Sequence, residues 1–295
     1  MPLRIESPYE NLSGRWLRGN MHAHTTCSDG ARSPSELVSV YAEMGYDWLC
    51  ISDHDLVTPA PPDAPEALIL LSGNEITANG PHILHVGAEV AVEPSPDRAK
   101  VIEEVAKAGG ICVLNHPNWE KHFSHWPQDK LEAMPRKYDG IEIFNGIVIR
   151  HEGSPLATDR WDRLLSKGVR AWGYANDDTH SDFDLGNGWN RVCCRSRKVE
   201  DILVGLKQGR CYASTGVELS SLETVGTRIR IIARNGSLCI PVVDWGVEIG
   251  RFPGRAWEFE IEKLIGDRRP SYIRFEIHGD GVASAWTQPI YLSWT

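Results

Sequence analysis

Five short apolar runs in this 295-residue chain each end on a residue that can bind a cation or carry a proton. The run from Leu17 leads into His22 and His24, and Trp48 to Ile51 leads into His54 and Asp55. Ala67 to Leu71 is followed by Glu75, Ile111 to Leu114 by Asn115 and His116, and Val169 to Tyr174 by Asp178 and His180. Helix-like segments separate these runs. Ser33-Pro34-Ser35-Glu36 opens one, with Ser33 as N-cap, Pro34 in the first turn and Glu36 completing a capping box, and Gly45 closes it. Ser95-Pro96 starts another that ends at Gly109-Gly110. Thr158 to Ser166 sets Trp161, Leu164 and Leu165 at helical spacing, and Val199 to Lys207 forms a further helix. Such alternation predicts an α/β protein with a parallel sheet. Closed into a barrel, that sheet would gather the carboxyl ends of its strands, and with them these polar residues, on one face.

The residue types say what such a face could hold. His22 and His24 are two apart, so on a strand they project from the same side. The polar turn Thr25-Thr26-Cys27-Ser28-Asp29-Gly30 then swings Asp29 back towards them. Imidazole mixed with carboxylate is the donor set of Zn, Mn or Fe hydrolases, not of a structural four-cysteine clip.

Composition removes several alternatives. A net charge of −9 and a pI near 5.7 repel phosphate backbones, which disfavours extensive nucleic-acid binding but does not exclude a small-molecule anionic substrate, because bound divalent cations would dominate the local field. The start, Met1 to Pro8, lacks an apolar signal core, and no apolar stretch is long enough to cross a membrane, so a cytoplasmic location is expected. Seven cysteines without C-x-x-C spacing, among them Cys50 and Cys112 inside apolar runs, read as reduced and buried, and Cys193-Cys194 as strand filler.

Beyond about residue 216 the pattern changes. Arg228 to Ala233, Trp257 to Ile261, Tyr272 to Ile277 and Pro289 to Trp294 alternate apolar and polar residues, with turn signals between them. The expected division is a metal-binding barrel over residues 15–216 and a small antiparallel, sandwich-like β domain over 217–295 that supplies no metal ligand. His278, its one histidine, reads as a turn residue, and His151 as plain surface.

Taken in order, the motifs are His22-x-His24-Thr25-x-x-Ser28-Asp29-Gly30, Ser52-Asp53-His54-Asp55, Gly73-Asn74-Glu75-Ile76-Thr77, His82-x-x-His85, Asn115-His116-Pro117 and Asp178-Thr179-His180. This series resembles the PHP (polymerase and histidinol phosphatase) superfamily of metal-dependent phosphoesterases over roughly residues 15 to 215. The segment Gly209-Arg210-x-Tyr212-Ala213-Ser214-Thr215-Gly216 is similar to the CehA/McbA-like metallohydrolase branch. The resemblance implies a distorted (β/α)7 barrel with a trinuclear or dinuclear site of two or three divalent ions (Zn, Mn or Fe). It implies His22, His24, Glu75 and Asp178 at the first ion, and Glu75, His116 and either His82 or His85 at the second. Asp29, His54 and His180 would hold the third. His82 has the spacing from Glu75 that needs no gap, but the two histidines lie three apart and face opposite ways on a strand, so both stay open.

The chemistry fits that division. A bridging Glu75 lets two cations stand ~4 Å apart and share a hydroxide that attacks phosphorus. Glu75, Asp178 and His180 are the expected catalytic residues, with Asp53, Asp55, Asn115 and Asp177 orienting imidazoles from behind. The leading expectation is a phosphoesterase of a small phosphorylated substrate. Hydrolysis of a carboxylic or carbamic ester is the alternative, and a non-catalytic metal-binding module the second. Arg191, Arg195 and Arg210 converging on the site would favour phosphate, whereas an aromatic rim from Trp119, Trp126 and Trp189 would favour a neutral ester. His122 and His125 read as histidines of a surface lid.

Overall fold

The computed structural model describes residues 3–120 and 126–294, so His122 and His125 lie outside the described residues. The first part of the chain runs β1 (Leu3–Glu6), β2 (Arg15–Asn20), α1 (Pro34–Glu43), β3 (Trp48–Cys50), β4 (Ile69–Leu71), β5 (Gly73–Ile76), β6 (Ile83–Val86), α2 (Arg98–Ala108) and β7 (Ile111–Leu114). It continues through α3 (Gln128–Ala133), β8 (Gly140–Asn145), α4 (Thr158–Ser166), β9 (Trp172–Asn176), β10 (Trp189–Cys194), α5 (Val199–Lys207) and β11 (Cys211–Ser214). The remainder is β-rich: β12 (Leu219–Val225), β13 (Arg228–Ala233), β14 (Gly236–Val243), β15 (Val247–Glu248), β16 (Phe252–Pro253), β17 (Ala256–Glu260), α6 (Ile261–Ile265), β18 (Tyr272–Gly279), β19 (Ser284–Thr287) and β20 (Ile290–Trp294).

Local chemistry explains the helices. Ser33 caps α1 through the expected capping box, with Pro34 in the first turn. Asp97, rather than Ser95, caps α2 by accepting from Lys100 N. Leu164 and Leu165 of α4 pack with Trp161 into the same core as Ile141 and Ile143 of β8.

The architecture is mixed α/β. Strands β2, β3 and β4 run parallel, as do β7, β8 and β9. The expected closed (β/α)7 barrel is not what the described residues form. β5 to β9 make one five-stranded sheet, and β2, β3 and β4 belong to a separate twelve-stranded sheet. Two features break the barrel pattern. The chain crosses from β4 to β5 over a single residue, Ser72, and β6 then pairs antiparallel with both β5 and β7. The sheets meet instead at their strand ends, through isolated parallel bridges between Ala23 and Thr179 and between His54 and Glu75. The polar residues are therefore gathered on one face without a continuous ladder around it.

Beyond residue 216, β14, β15, β16, β18, β19 and β20 extend the same large sheet, because β19 pairs with β11 and β18 pairs with β14, β19 and β20, whereas β12, β13 and β17 form a three-stranded sheet of their own. Gln288 fastens the join, its side-chain amide meeting both the N–H and the carbonyl of Gly173 at 2.8 and 2.7 Å. A second core, with Leu222, Ile229, Ile231, Trp257, Phe275 and Ile277, fills the space between β12, β13, β17 and β18. All seven cysteines are free, and all but Cys27 are buried. No helix among the described residues is long and apolar enough to cross a membrane.

Candidate metal centre

Backbone bonds between strand ends decide where the ligand side chains fall. Asp178 N donates to His22 O and His24 N to Thr179 O, each at 3.0 Å, so the end of β2 is zipped to the end of β9. Glu75 N donates to Ser52 O at 3.2 Å and Asp55 N to Glu75 O at 2.7 Å, which fixes β5 against the segment after β3. Asp55, His116 and Asp178 sit at φ 55°, 30° and 53°. Non-glycine residues adopt this left-handed region at some cost, and such strain gathers at functional sites. Here it turns the chain sharply as each strand ends. Gly30 serves a different need, since a Cβ there would lie 2.4 Å from the carbonyl oxygen of His24. Only glycine lets the Asp29 turn close on the His22-x-His24 strand.

The side chains converge in three groups: His22, His24 and Asp178; Glu75, His82 and His116; and His24, Asp29, His54 and His180. In the first, Nε2 of His22 and of His24 are 3.1 Å apart, and Asp178 Oδ1 stands 3.1 and 3.2 Å from them. Glu75 completes it, with Oε1 3.3 Å from His22 Nε2 and Oε2 3.6 Å from His24 Nε2. In the second, Glu75 Oε1 lies 3.1 Å from His82 Nδ1 and 3.3 Å from His116 Nε2. In the third, Asp29 Oδ1 lies 3.2 Å from His180 Nε2 and 3.3 Å from His54 Nε2.

These spacings suit a cation. Donors bound tetrahedrally at about 2.1 Å stand about 3.4 Å from one another. Hydrogen bonding alone fits less well, because Asp178 Oδ1 is buried and has no aligned donor despite the imidazoles beside it. Ions held by the groups would supply Lewis acidity and acidify bound water.

Electrostatics point the same way. Burial opposes the charge of Glu75 and of Asp178, yet the surrounding imidazoles hold both carboxyls well below the usual range. Asp29 is likewise held low, its own burial outweighed by His180 and His54. Burial works against a charged His54, but Asp29 and Glu75 raise it to about 10, and Asp29 and Asp178 raise His180 to about 8 against the same penalty. Burial and the neighbouring His180 push His24 down to about 4. The carboxylates draw positive charge into a buried space.

His82 enters a ligand group and His85 does not. His85 Nε2 lies 2.8 Å from Gly109 O, on the far side of β6. The residues expected to orient imidazoles mostly hold loops instead. Asp53 accepts from Thr25 N, Thr25 Oγ1 and Ser28 Oγ, Asp55 from Thr77 N and Ala78 N, and Asp177 from Gly186 N, Gly188 N and the Tyr41 hydroxyl. Asn115 donates to Glu75 Oε1 at 2.6 Å, so it orients a carboxylate. The residue that does meet an imidazole, Glu142 of β8 at 2.8 Å from His22 Nδ1, was not foreseen. A lone glutamate in an apolar run gives no sequence signal beyond its improbability there.

The three arginines do not converge on the groups. Arg191 is ion-paired with Glu218, while Arg195 and Arg210 line a cavity beside Cys193 and Cys194. Arg150 lies near this face. It forms a bidentate pair with Asp184 at 2.7 and 2.9 Å, and Asp184 also accepts from His180 N. His151 is not plain surface, because it stacks on Trp119 at 4.8 Å, and Trp119 meets His116 edge-on at 5.2 Å. Trp126 and Trp189 are buried.

No model of a known protein family matches the chain, and no curated protein does. Among solved structures, the chain is similar to a two-domain protein from Bacteroides vulgatus containing a predicted PHP-like metal-dependent phosphoesterase. The two share 18% identity with a TM-score of 0.52, over 98% of each chain. A lesion-specific endonuclease from Pyrococcus furiosus matches at 15% identity and a TM-score of 0.42, over 78% of this chain and 62% of that one. An amidohydrolase from Chromobacterium violaceum matches at 15% and 0.40, over 63% and 89%. The first likeness covers 98% of each chain and shows that the two proteins share a fold.

Proposed function

We propose that the chain is a metal-dependent hydrolase, most simply a phosphoesterase of a small phosphorylated molecule. The observation that carries this reading is the convergence of nine side chains into three ligand groups, two of which share His24 and all of which adjoin at Glu75. Two or three divalent ions, Zn, Mn or Fe, are the proposed cofactors, held by His22, His24, Asp29, His54, Glu75, His82, His116, Asp178 and His180. Glu75 faces both the first and the second group, Asp178 the first, and His180 the third, which supports a catalytic role for these three. Residues 15–216 supply every one of these ligands, and 217–295 act as a supporting β unit. The likeness to the Bacteroides vulgatus protein, which contains a predicted PHP-like metal-dependent phosphoesterase, supports the choice of phosphate.

A second reading, hydrolysis of a carboxylic or carbamic ester of the CehA/McbA type, gains from one observation. Arg191, Arg195 and Arg210 are occupied or placed elsewhere, while Trp119 and His151 stand beside His116. The two readings separate on p-nitrophenyl phosphate, bis-p-nitrophenyl phosphate and p-nitrophenyl acetate with added Mn²⁺. The expected result is metal-dependent cleavage of a phosphate ester, reduced on the order of a thousandfold or more in Glu75→Gln. Cleavage of the acetate alone, lost in Glu75→Gln, would replace the first reading with the second. Equal rates in wild type and Glu75→Gln on every substrate would overturn both.

A further inference from the structure

Glu142 is fully buried in β8, and four groups meet its carboxylate. Oε1 lies 2.8 Å from His22 Nδ1 and accepts from Asn176 Nδ2 at 2.9 Å. Oε2 accepts from His116 N and from Asn145 Nδ2, both at 2.8 Å. An ionised carboxylate only accepts, so the hydrogen between Glu142 and His22 sits on Nδ1. That leaves Nε2 of His22 as the atom turned towards His24 and Asp178.

We propose that Glu142 is a positioning residue that sets the first and second ligand groups together and bears on the third only through the His24 it shares with the first. It reaches the first group twice. One route is the His22 tautomer. The other is Asn145, whose amide donates to Glu142 and, at 3.1 Å, to Asp178 Oδ2. It reaches the second group through the backbone N–H of His116, a residue held at φ 30° and so dependent on a fixed partner. It touches none of Asp29, His54 or His180. That group is steadied by Asp184, which holds the backbone N–H of His180 at 3.0 Å, and by Gly30 closing on His24. Carboxylates behind ligating imidazoles fix ring orientation and tautomer, and their loss weakens metal binding about 10- to 100-fold.

Glutamine cannot substitute. With its oxygen towards His22 and Asn176, its amide hydrogens would face two donors, His116 N–H and the Asn145 amide. Turned over, it would donate to His22 Nδ1 and move the imidazole hydrogen to Nε2, the atom a cation needs. Both placements fail on hydrogen-bond count, and neither changes the size of the side chain.

This inference rests on the three groups binding metal, and titration of full-length, metal-stripped protein with Zn²⁺ by calorimetry against a competing chelator separates the two. Wild type that binds no Zn²⁺ overturns the metal reading and this inference with it. In Glu142→Gln the expected result is about 10- to 100-fold weaker binding at the sites that His180→Ala leaves intact, with the site lost in His180→Ala preserved. A Glu142→Gln isotherm that superimposes on wild type overturns the inference alone, as does uniform weakening at all sites. If Glu142→Gln fails to fold, ¹H–¹⁵N spectra of Zn-loaded wild type decide. A hydrogen on His22 Nδ1 with metal at Nε2 is expected, and the reverse arrangement overturns the inference.

Discussion

Two buried ionic clusters in this molecule use similar residues in opposite ways. Between α4 and β18, Arg274 donates through Nε and Nη2 to both oxygens of Asp162 at 2.8 and 2.7 Å, and through Nη1 to Glu276 at 2.7 Å. The Tyr272 hydroxyl adds a bond to Asp162 at 2.8 Å. Every strong donor there meets an acceptor. At the strand ends, by contrast, imidazole nitrogens face one another at 3.1 Å, and a buried Asp178 oxygen has no aligned donor. A buried charge is tolerable when it is paired, and removing one partner leaves the other desolvated and alone. The first cluster is complete without a ligand, so it belongs to the scaffold. The second has geometry and charge that a cation would complete.

The sharpest way to break this contrast is Arg274→Ala. It strands Asp162 and Glu276 in the interior and should cost about 3–5 kcal/mol in urea denaturation. Because the clusters share no residue, the gain in stability on adding Mn²⁺ should match that of wild type. A variant that keeps its stability would deny the pairing its structural role. One that loses the metal-dependent gain would show the clusters to be coupled.

A smaller effect comes from acid. Burial pushes the Glu276 carboxyl up, but His278 and Arg274 more than reverse this and bring it down to about 2, from an ordinary value of 4.5. A carboxyl whose folded value is depressed contributes stability that is fully present above about 4.5. Below that the unfolded chain takes up the proton first, and the contribution falls away as the pH approaches 2. The drop should amount to at most about 3 kcal/mol. Glu276→Gln, followed by denaturation across this range, should flatten that part of the profile, and an unchanged slope would remove Glu276 from the account.

The difference between the clusters also explains what the sequence could reveal. Ligands at strand ends are visible because each follows an apolar run, and nine of the ten expected metal-binding residues enter the three groups. His85 was the exception. Spacing shows that it and His82 face opposite ways, but only the packing of β6 between β5 and β7 decides which face looks inward. The Ser33 capping box and the bounds of β7, α4, α5 and β13 were legible because their signals are local. The split into two sheets was not, since β6 has the composition of a parallel strand and only its partners reverse it. Nor were Glu142, Asp162 and Arg274. A charge on a buried face needs a partner that the local sequence does not name, and those partners lie up to 120 residues away.

The central claim is that the strand-end groups hold divalent ions, and elemental analysis tests it most directly. Protein purified without chelator, and again after reconstitution with Zn²⁺, Mn²⁺ or Fe²⁺, should carry two or three equivalents per chain, since imidazole and carboxylate donors discriminate poorly among these metals. Less than one equivalent, with no gain on reconstitution, would contradict the account.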